Sequence, residues 1–161
     1  MKGDAAVLAQ LNRALRHELT ASSQFWLHYR LLHNWGFGHL AKKWRHEAIE
    51  AMEHADRLID RIIFLEGHPN LQDLDAMLIG ETPREVLDCD LRAKYVARTL
   101  YRVARKVALQ ADDQVTKLLF DDLLEDEEHH MDFLESQIDL HEALGAAGYG
   151  QLNALPAEEA K

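Results

Sequence analysis

The segment Gly67–Thr82 reads GHPNLQDLDAMLIGET. It is too long for an ordinary connection inside a compact domain, and it is not polar enough to be a free linker. Leu71, Leu74, Leu78 and Ile79 give it apolar side chains to bury, so it is expected to be ordered and packed. Gly67-His68-Pro69-Asn70 stops whatever precedes it. Thr82-Pro83-Arg84-Glu85 starts a helix, with Thr as N-cap, Pro at the first helical position and Glu at the third. Between two long helices, such a segment reads as a crossover along a bundle that leaves the second and third helices parallel.

The flanking sequence supplies those helices. Val7, Leu8, Leu11, Leu15, Phe25, Tyr29 and Leu32 recur at steps of three and four, which predicts a helix over about 5–34 with Asp4 as N-cap. Gly36 and Gly38 break it. A second helix is expected from about His39 to Leu65, a third to about Gln110, and a fourth from about Gln114 to Leu144, before Gly145 and Gly148. A short fifth piece, Tyr149 to Leu155, precedes Pro156. The expected fold class is all-α, a four-helix bundle over about 5–144, within a single domain spanning 1–161.

Composition agrees. The chain has 161 residues, 47% of them hydrophobic, with only 8 Gly and 3 Pro, which excludes disorder and an all-β fold. No apolar run is long enough for a membrane helix. Asp4 and Gln10 interrupt any signal-peptide core in MKGDAAVLAQL, and the single Cys89 fits a reducing compartment; both predict a cytoplasmic protein. A net charge of −10 disfavours nucleic acid as a partner. It serves either solubility or the attraction of cations.

The polar members of the apolar stripes carry the chemistry. Helix one runs Leu11, Leu15, Glu18, Ser22, Phe25, so Glu18 faces inward. Helix two runs Leu40, Trp44, Glu47, Ala51, His54, Leu58, and helix four runs Phe120, Leu123, Glu127, His130, Leu134. Residues three apart share a helix face, which makes Glu127-x-x-His130 a chelating pair. A buried carboxylate costs several kcal/mol unless neutralised, and a lone one is usually satisfied by a neighbour. Carboxylates and imidazoles from three helices converging on one centre suit a shared iron, manganese or zinc ion. Glu18, His54, Glu127 and His130 are the candidate metal ligands. The pattern is the one known from ferritin-like di-iron proteins, so the expected fold is a ferritin-like bundle.

The chain resembles the bacterioferritins over nearly its whole length. The similarity is carried by Met1-Lys2-Gly3-Asp4, by the run from Phe64 to Leu74, by Ile79-Gly80-Glu81 and by Asp126-Glu127-Glu128. The resemblance implies a cytoplasmic shell of twenty-four subunits that stores ferric mineral. It also implies haem b held between two subunits by one methionine from each, and a ferredoxin partner that reduces the mineral. Met52 lies about 100° round helix two from Ala51, on the outward side. With the resemblance it is the expected haem ligand, flanked by Ile49 and Ile59, with Leu19 and Trp26 lining the same pocket.

The resemblance also implies six di-iron ligands, and two do not match. A bridging carboxylate is expected where Ala51 stands, and a carboxylate where Lys94 stands. Residues 87, 91, 94, 97, 101 and 104 form the inward stripe of helix three, so Lys94 should face the site and could pair with Glu127. A two-metal centre needs anionic bridges, and these changes make the site more positive by about three charges relative to the family. Glu50, one helical step off the inward face, is expected to look elsewhere. His46 and Glu50 are either a lumenal iron site or a solvated surface pair. Phe25 stands where the family often carries a redox-active tyrosine. The leading expectation is a haem-supplying storage subunit paired with a ferroxidase-competent one. The alternative is an active ferroxidase with an atypical or mononuclear centre.

Overall fold

In the computed structural model, residues 1–159 are described; the last two residues of the expected 1–161 domain lie outside the described residues. Four helices account for most of the chain: α1 (Ala5–Asn34), α2 (Gly38–Phe64), α3 (Pro83–Gln110) and α4 (Gln114–Asn153). A 3₁₀ turn at Ala157–Glu159 follows. No helix among the described residues is long and apolar enough to cross a membrane.

The helix starts follow their sequence signals. Asp4 Oδ1 accepts from the amides of Ala6 and Val7. Thr82 Oγ1 accepts from the Glu85 amide, and Glu85 reaches back to the Glu81 amide at 2.7 Å. Asp113 caps α4 through the Thr116 amide and hydroxyl. The expected short fifth helix is there with shifted bounds: Gly145, at φ 74 and ψ 168, breaks the long helix after Leu144, and the short helix beyond it ends at Asn153 rather than Leu155. Ala146 and Ala147 resume the helix directly, because alanine has no side-chain entropy to lose. Leu155 is not helical; it packs where a Cβ on Gly38 would come within 2.3 Å of it.

Residues 67–82 run alongside α1 in the same direction. Asn12 donates to the His68 carbonyl, Arg16 pairs with Asp75 at 2.7 Å, and Thr20 Oγ1, Gln24 Oε1 and His28 Nε2 accept from the amides of Asp75, Leu78 and Gly80. The segment therefore carries the chain from the end where α2 finishes, beside Gly3, back to the end where α2 begins, and α3 runs parallel to α2 as expected. Contacts of Asp90 with Gln24 and His28, and of Tyr101 with Glu18, fix α3 antiparallel to α1. Arg84–Glu142 and Arg105–Asp121 fix α4 antiparallel to α3.

Apolar packing falls into two clusters. One gathers Leu11, Leu15, Leu58, Ile62, Tyr101, Phe120 and Leu123. The other gathers Phe25, Leu32, Leu40, Trp44, Leu87, Leu134 and Tyr149. Between them lies a layer of buried ionisable side chains: Glu18, Glu47, His54, Lys94 and Glu127.

Candidate metal centre

Each member of that layer is delivered by helical spacing. Glu18 sits one turn beyond Leu15, His54 between Ala51 and Leu58, Lys94 between Ala97 and Asp90, and Glu127 one turn beyond Leu123. Glu18, His54 and Glu127 each offer a ligand atom within 4.8 Å of the others. His54 Nδ1 lies 3.3 Å from Glu18 Oε1 and 3.8 Å from Glu127 Oε1. The Tyr101 hydroxyl also donates to Glu18 Oε1.

Lys94 faces inward, as its stripe predicted. Its Nζ is 3.1 Å from Glu127 Oε2 and 3.1 Å from His130 Nδ1. It also lies 4.8 Å from the centroid of the Phe25 ring, whose face attracts a cation. Phe25 thus supports the ammonium directly. The ammonium at Nδ1 makes that nitrogen an acceptor, so the His130 proton sits on Nε2.

Two placements differ from expectation. His130 does not join Glu18, His54 and Glu127; its Nε2 faces Glu47 Oε2 at 2.9 Å and Glu50 Oε2 at 3.1 Å. Glu50 does not look elsewhere. Its backbone is off the inward face, but its flexible side chain curls to His130 and brings Oε1 within 4.0 Å of His54 Nε2. His46 remains largely exposed, 3.8 Å from Glu50. Asp126, which the stripe analysis missed, accepts from His54 Nε2 at 3.0 Å. Glu47 was legible on the inward stripe of helix two, as was Tyr101 on that of helix three; Asp126 had no periodic signal.

Electrostatics bind these groups into a mutual set. Burial would raise the Glu18 carboxyl, but hydrogen bonding and charge from His54, with help from His17 and Lys94, bring it down to about 2. Glu47 is held at about 2 against burial by His130 and Lys43. Burial disfavours the His54 cation, yet Glu18, Glu127 and Asp126 push it up to about 9. Burial likewise works against the Lys94 ammonium, and Glu127, Glu18 and Glu47 raise it on balance. The residues fit a metal only in part. Both Glu127 oxygens are buried without an aligned hydrogen bond, the condition a cation relieves. The chain supplies a cation there itself, in Lys94.

On the outer side of α1 and α2, Met52 is 44% exposed and borders a cavity of about 520 Å³ with Trp26, Leu27, Arg30, Ala48 and Ile49. Leu19 and Ile59 do not line it. Both pack against the first apolar cluster, because their positions lie nearer the inward stripe than Met52 does. A larger cavity of about 720 Å³, between α1 and α3, shares none of these residues.

A bundle with this crossover and this buried acid–imidazole layer is a ferritin-like protein, and residues 8–144 match the family profile of the ferritin-like domain. Within that class the chain belongs to the bacterioferritin family. It is 55% identical to the bacterioferritin of Rhodobacter capsulatus over 161 residues, covering 100% of both chains. It is 54% identical to that of Brucella melitensis, again over the full length of both, and 40% identical to that of Mycobacterium avium over 92% of this chain and 94% of the relative. The 2.6 Å structure of the Rhodobacter capsulatus protein superposes with a TM-score of 0.98, covering 99% of this chain and 100% of that one; it is described as having a metal-free dinuclear site and its haem iron in a crystallographic special position.

Proposed function

We propose that this chain is a cytoplasmic iron-storage subunit of a twenty-four-subunit shell. It contributes haem b through Met52, while its own iron-oxidising centre is disabled by Ala51 and Lys94. One observation carries the reading: the Lys94 ammonium lies 3.1 Å from both Glu127 and His130, between two residues that would hold the second ferrous ion. Two like charges cannot share that space in a low-dielectric interior without a large repulsion. Ala51 removes the carboxylate that would bridge the ions.

Ferrous iron is the cargo here, and this subunit depends on a partner subunit with the full ligand set for its oxidation. The apolar cavity beside Met52 fits a haem edge, with Trp26, Leu27 and Ile49 as walls and Met52 sulfur as the iron ligand. Haem bound there supplies a one-electron path through the shell. A bacterioferritin-associated ferredoxin is the matching reductant.

The test is stopped-flow oxidation of ferrous iron by the purified homopolymer. The expected result is slow, unsaturable oxidation, with saturable fast oxidation appearing in the Ala51→Glu, Lys94→Glu double variant. The proposal fails if the unaltered homopolymer matches subunits with the complete set and Glu127→Ala abolishes that rate. That outcome would favour the second reading, a mononuclear ferroxidase, whose support is the convergence of Glu18, His54 and Glu127 within 4.8 Å.

A further inference from the structure

The two inward histidines both turn Nδ1 to the buried layer and Nε2 toward Glu50, but their surroundings differ. His130 is committed: Lys94 occupies Nδ1, and Nε2–H donates to Glu50, with Glu47 Oε2 in ion-pair range at 2.9 Å. His54 is differently placed. Its Nδ1 points inward to Glu18, a carboxylate itself held by the Tyr101 hydroxyl. Its Nε2 points away from that pocket, toward Asp126 Oδ2 at 3.0 Å and Glu50 Oε1 at 4.0 Å. We propose that His54 Nε2, Asp126 and Glu50 form a mononuclear site for a divalent transition-metal ion on the α2–α4 face, outside the pocket that Lys94 closes.

The chemistry of the donor set supports this. One imidazole nitrogen with two carboxylates suits a borderline divalent ion such as zinc or ferrous iron. A histidine ligand is normally oriented by a carboxylate on its other nitrogen, and Glu18 stands in that position on Nδ1. Metal–ligand lengths of about 2.0–2.2 Å require donor atoms roughly 3–3.5 Å apart. The His54–Asp126 pair already meets this, and the three ligand atoms lie within 4.8 Å of one another. Glu50 needs only a small carboxylate movement to close the third side. His54 is itself buried, so its Nε2 direction is fixed by packing, whereas the Asp126 and Glu50 side chains are 40% and 24% exposed and leave a path for the ion. Asp126 and Glu50 are also the two carboxylates near His54 that Lys94 does not engage.

The inference does not depend on whether this subunit oxidises iron, because it concerns where a metal sits. The test uses the full-length assembled protein with zinc as the probe. Anomalous diffraction at the zinc edge should place one ion on His54 Nε2 with Asp126 and Glu50. In calorimetric titration, Asp126→Asn should weaken zinc binding by about tenfold or more, while Glu127→Gln changes it by less than about threefold. Asp126 is exposed enough for its variant to fold, which circular dichroism verifies. A zinc ion on the Nδ1 side between Glu18 and Glu127, an affinity untouched by Asp126→Asn, or no stoichiometric binding at all would each overturn the proposal.

Discussion

Lys94 illustrates how a single side chain can stand in for an ion. Its position on the inward stripe of helix three was readable from spacing alone, and so was its pairing with Glu127. Removing the ammonium leaves Glu127 buried and unpaired, so Lys94→Met should destabilise the apo subunit by about 3–5 kcal/mol. Part of that loss should return when zinc is added, as measured by thermal unfolding with and without the metal. Lys94→Met that is as stable as the parent in chelator would contradict the ion-pair account. The Glu18–His54 pair makes a separate prediction in pH. Glu18 is depressed to about 2, so its contribution is present above the ordinary carboxylate range and is lost as pH falls toward 2. His54 is raised to about 9, so its contribution is full below its ordinary value and drains as pH rises through about 9. The stability difference between the parent and His54→Gln should therefore be largest between roughly pH 4.5 and 6.5 and shrink on both sides. Thermal midpoints of the two proteins across pH 3–10 would read this directly. What spacing could not read was Glu50. A helical wheel fixes where a Cβ points, not where a carboxylate two carbons further on ends up.

At the scale of elements, the crossover is held by a buried polar knot. Asp90 on α3 accepts from Gln24 Nε2 at 2.7 Å, from His28 Nδ1 at 2.9 Å and from Trp44 Nε1. His28 Nε2 in turn accepts from the Gly80 amide, so His28 carries its proton on Nδ1. Four separate segments meet at this knot. Periodicity within one segment cannot report such a meeting, which is why the sequence revealed an ordered crossover but not what anchors it. Gly80 tolerates no side chain there: a Cβ would lie 2.5 Å from the Val86 amide nitrogen and 2.7 Å from the Glu85 carbonyl carbon, both backbone atoms that cannot yield. Gly80→Ala should cost about 2 kcal/mol or more and raise amide exchange along residues 74–82 before the helices open. Protection there equal to the parent's would show that the knot does not hold the crossover. The α4 cap gives a smaller, cleaner effect. Asp113 joins Thr116 and the Arg61 guanidinium, 2.8 Å away. Burial raises its carboxyl, but these partners lower it on balance. Asp113→Ala should destabilise by about 1–2 kcal/mol, and the difference should vanish as the carboxyl is protonated in acid. Unfolding curves of the two proteins at neutral and acidic pH test both parts.

At the scale of the whole molecule, one group of exposed apolar residues stands together. Trp26, Leu27, Ile49 and Met52 gather on one side of α1 and α2, around the cavity that Met52 borders. A contiguous apolar patch rimmed by Arg30 and Arg45 is expensive to leave in water, and it is the kind of surface that a subunit interface covers. If one methionine from each of two subunits holds a haem, the interface is two-fold and self-complementary, so each substitution acts twice. This separates assembly from haem binding. Met52→Leu keeps the size and apolarity of the side chain and removes only the sulfur, so shells should form while the absorption bands of methionine-ligated haem disappear. Ile49→Asp puts a carboxylate from each subunit into the same apolar contact, so pairing itself should weaken and sedimentation should shift toward smaller species, with haem lost as a consequence. The order of effects is the discriminating result. Haem retained in Met52→Leu would move the ligand to another residue, and intact shells with bound haem in Ile49→Asp would mean that this face of α1 and α2 is not the one the subunits share.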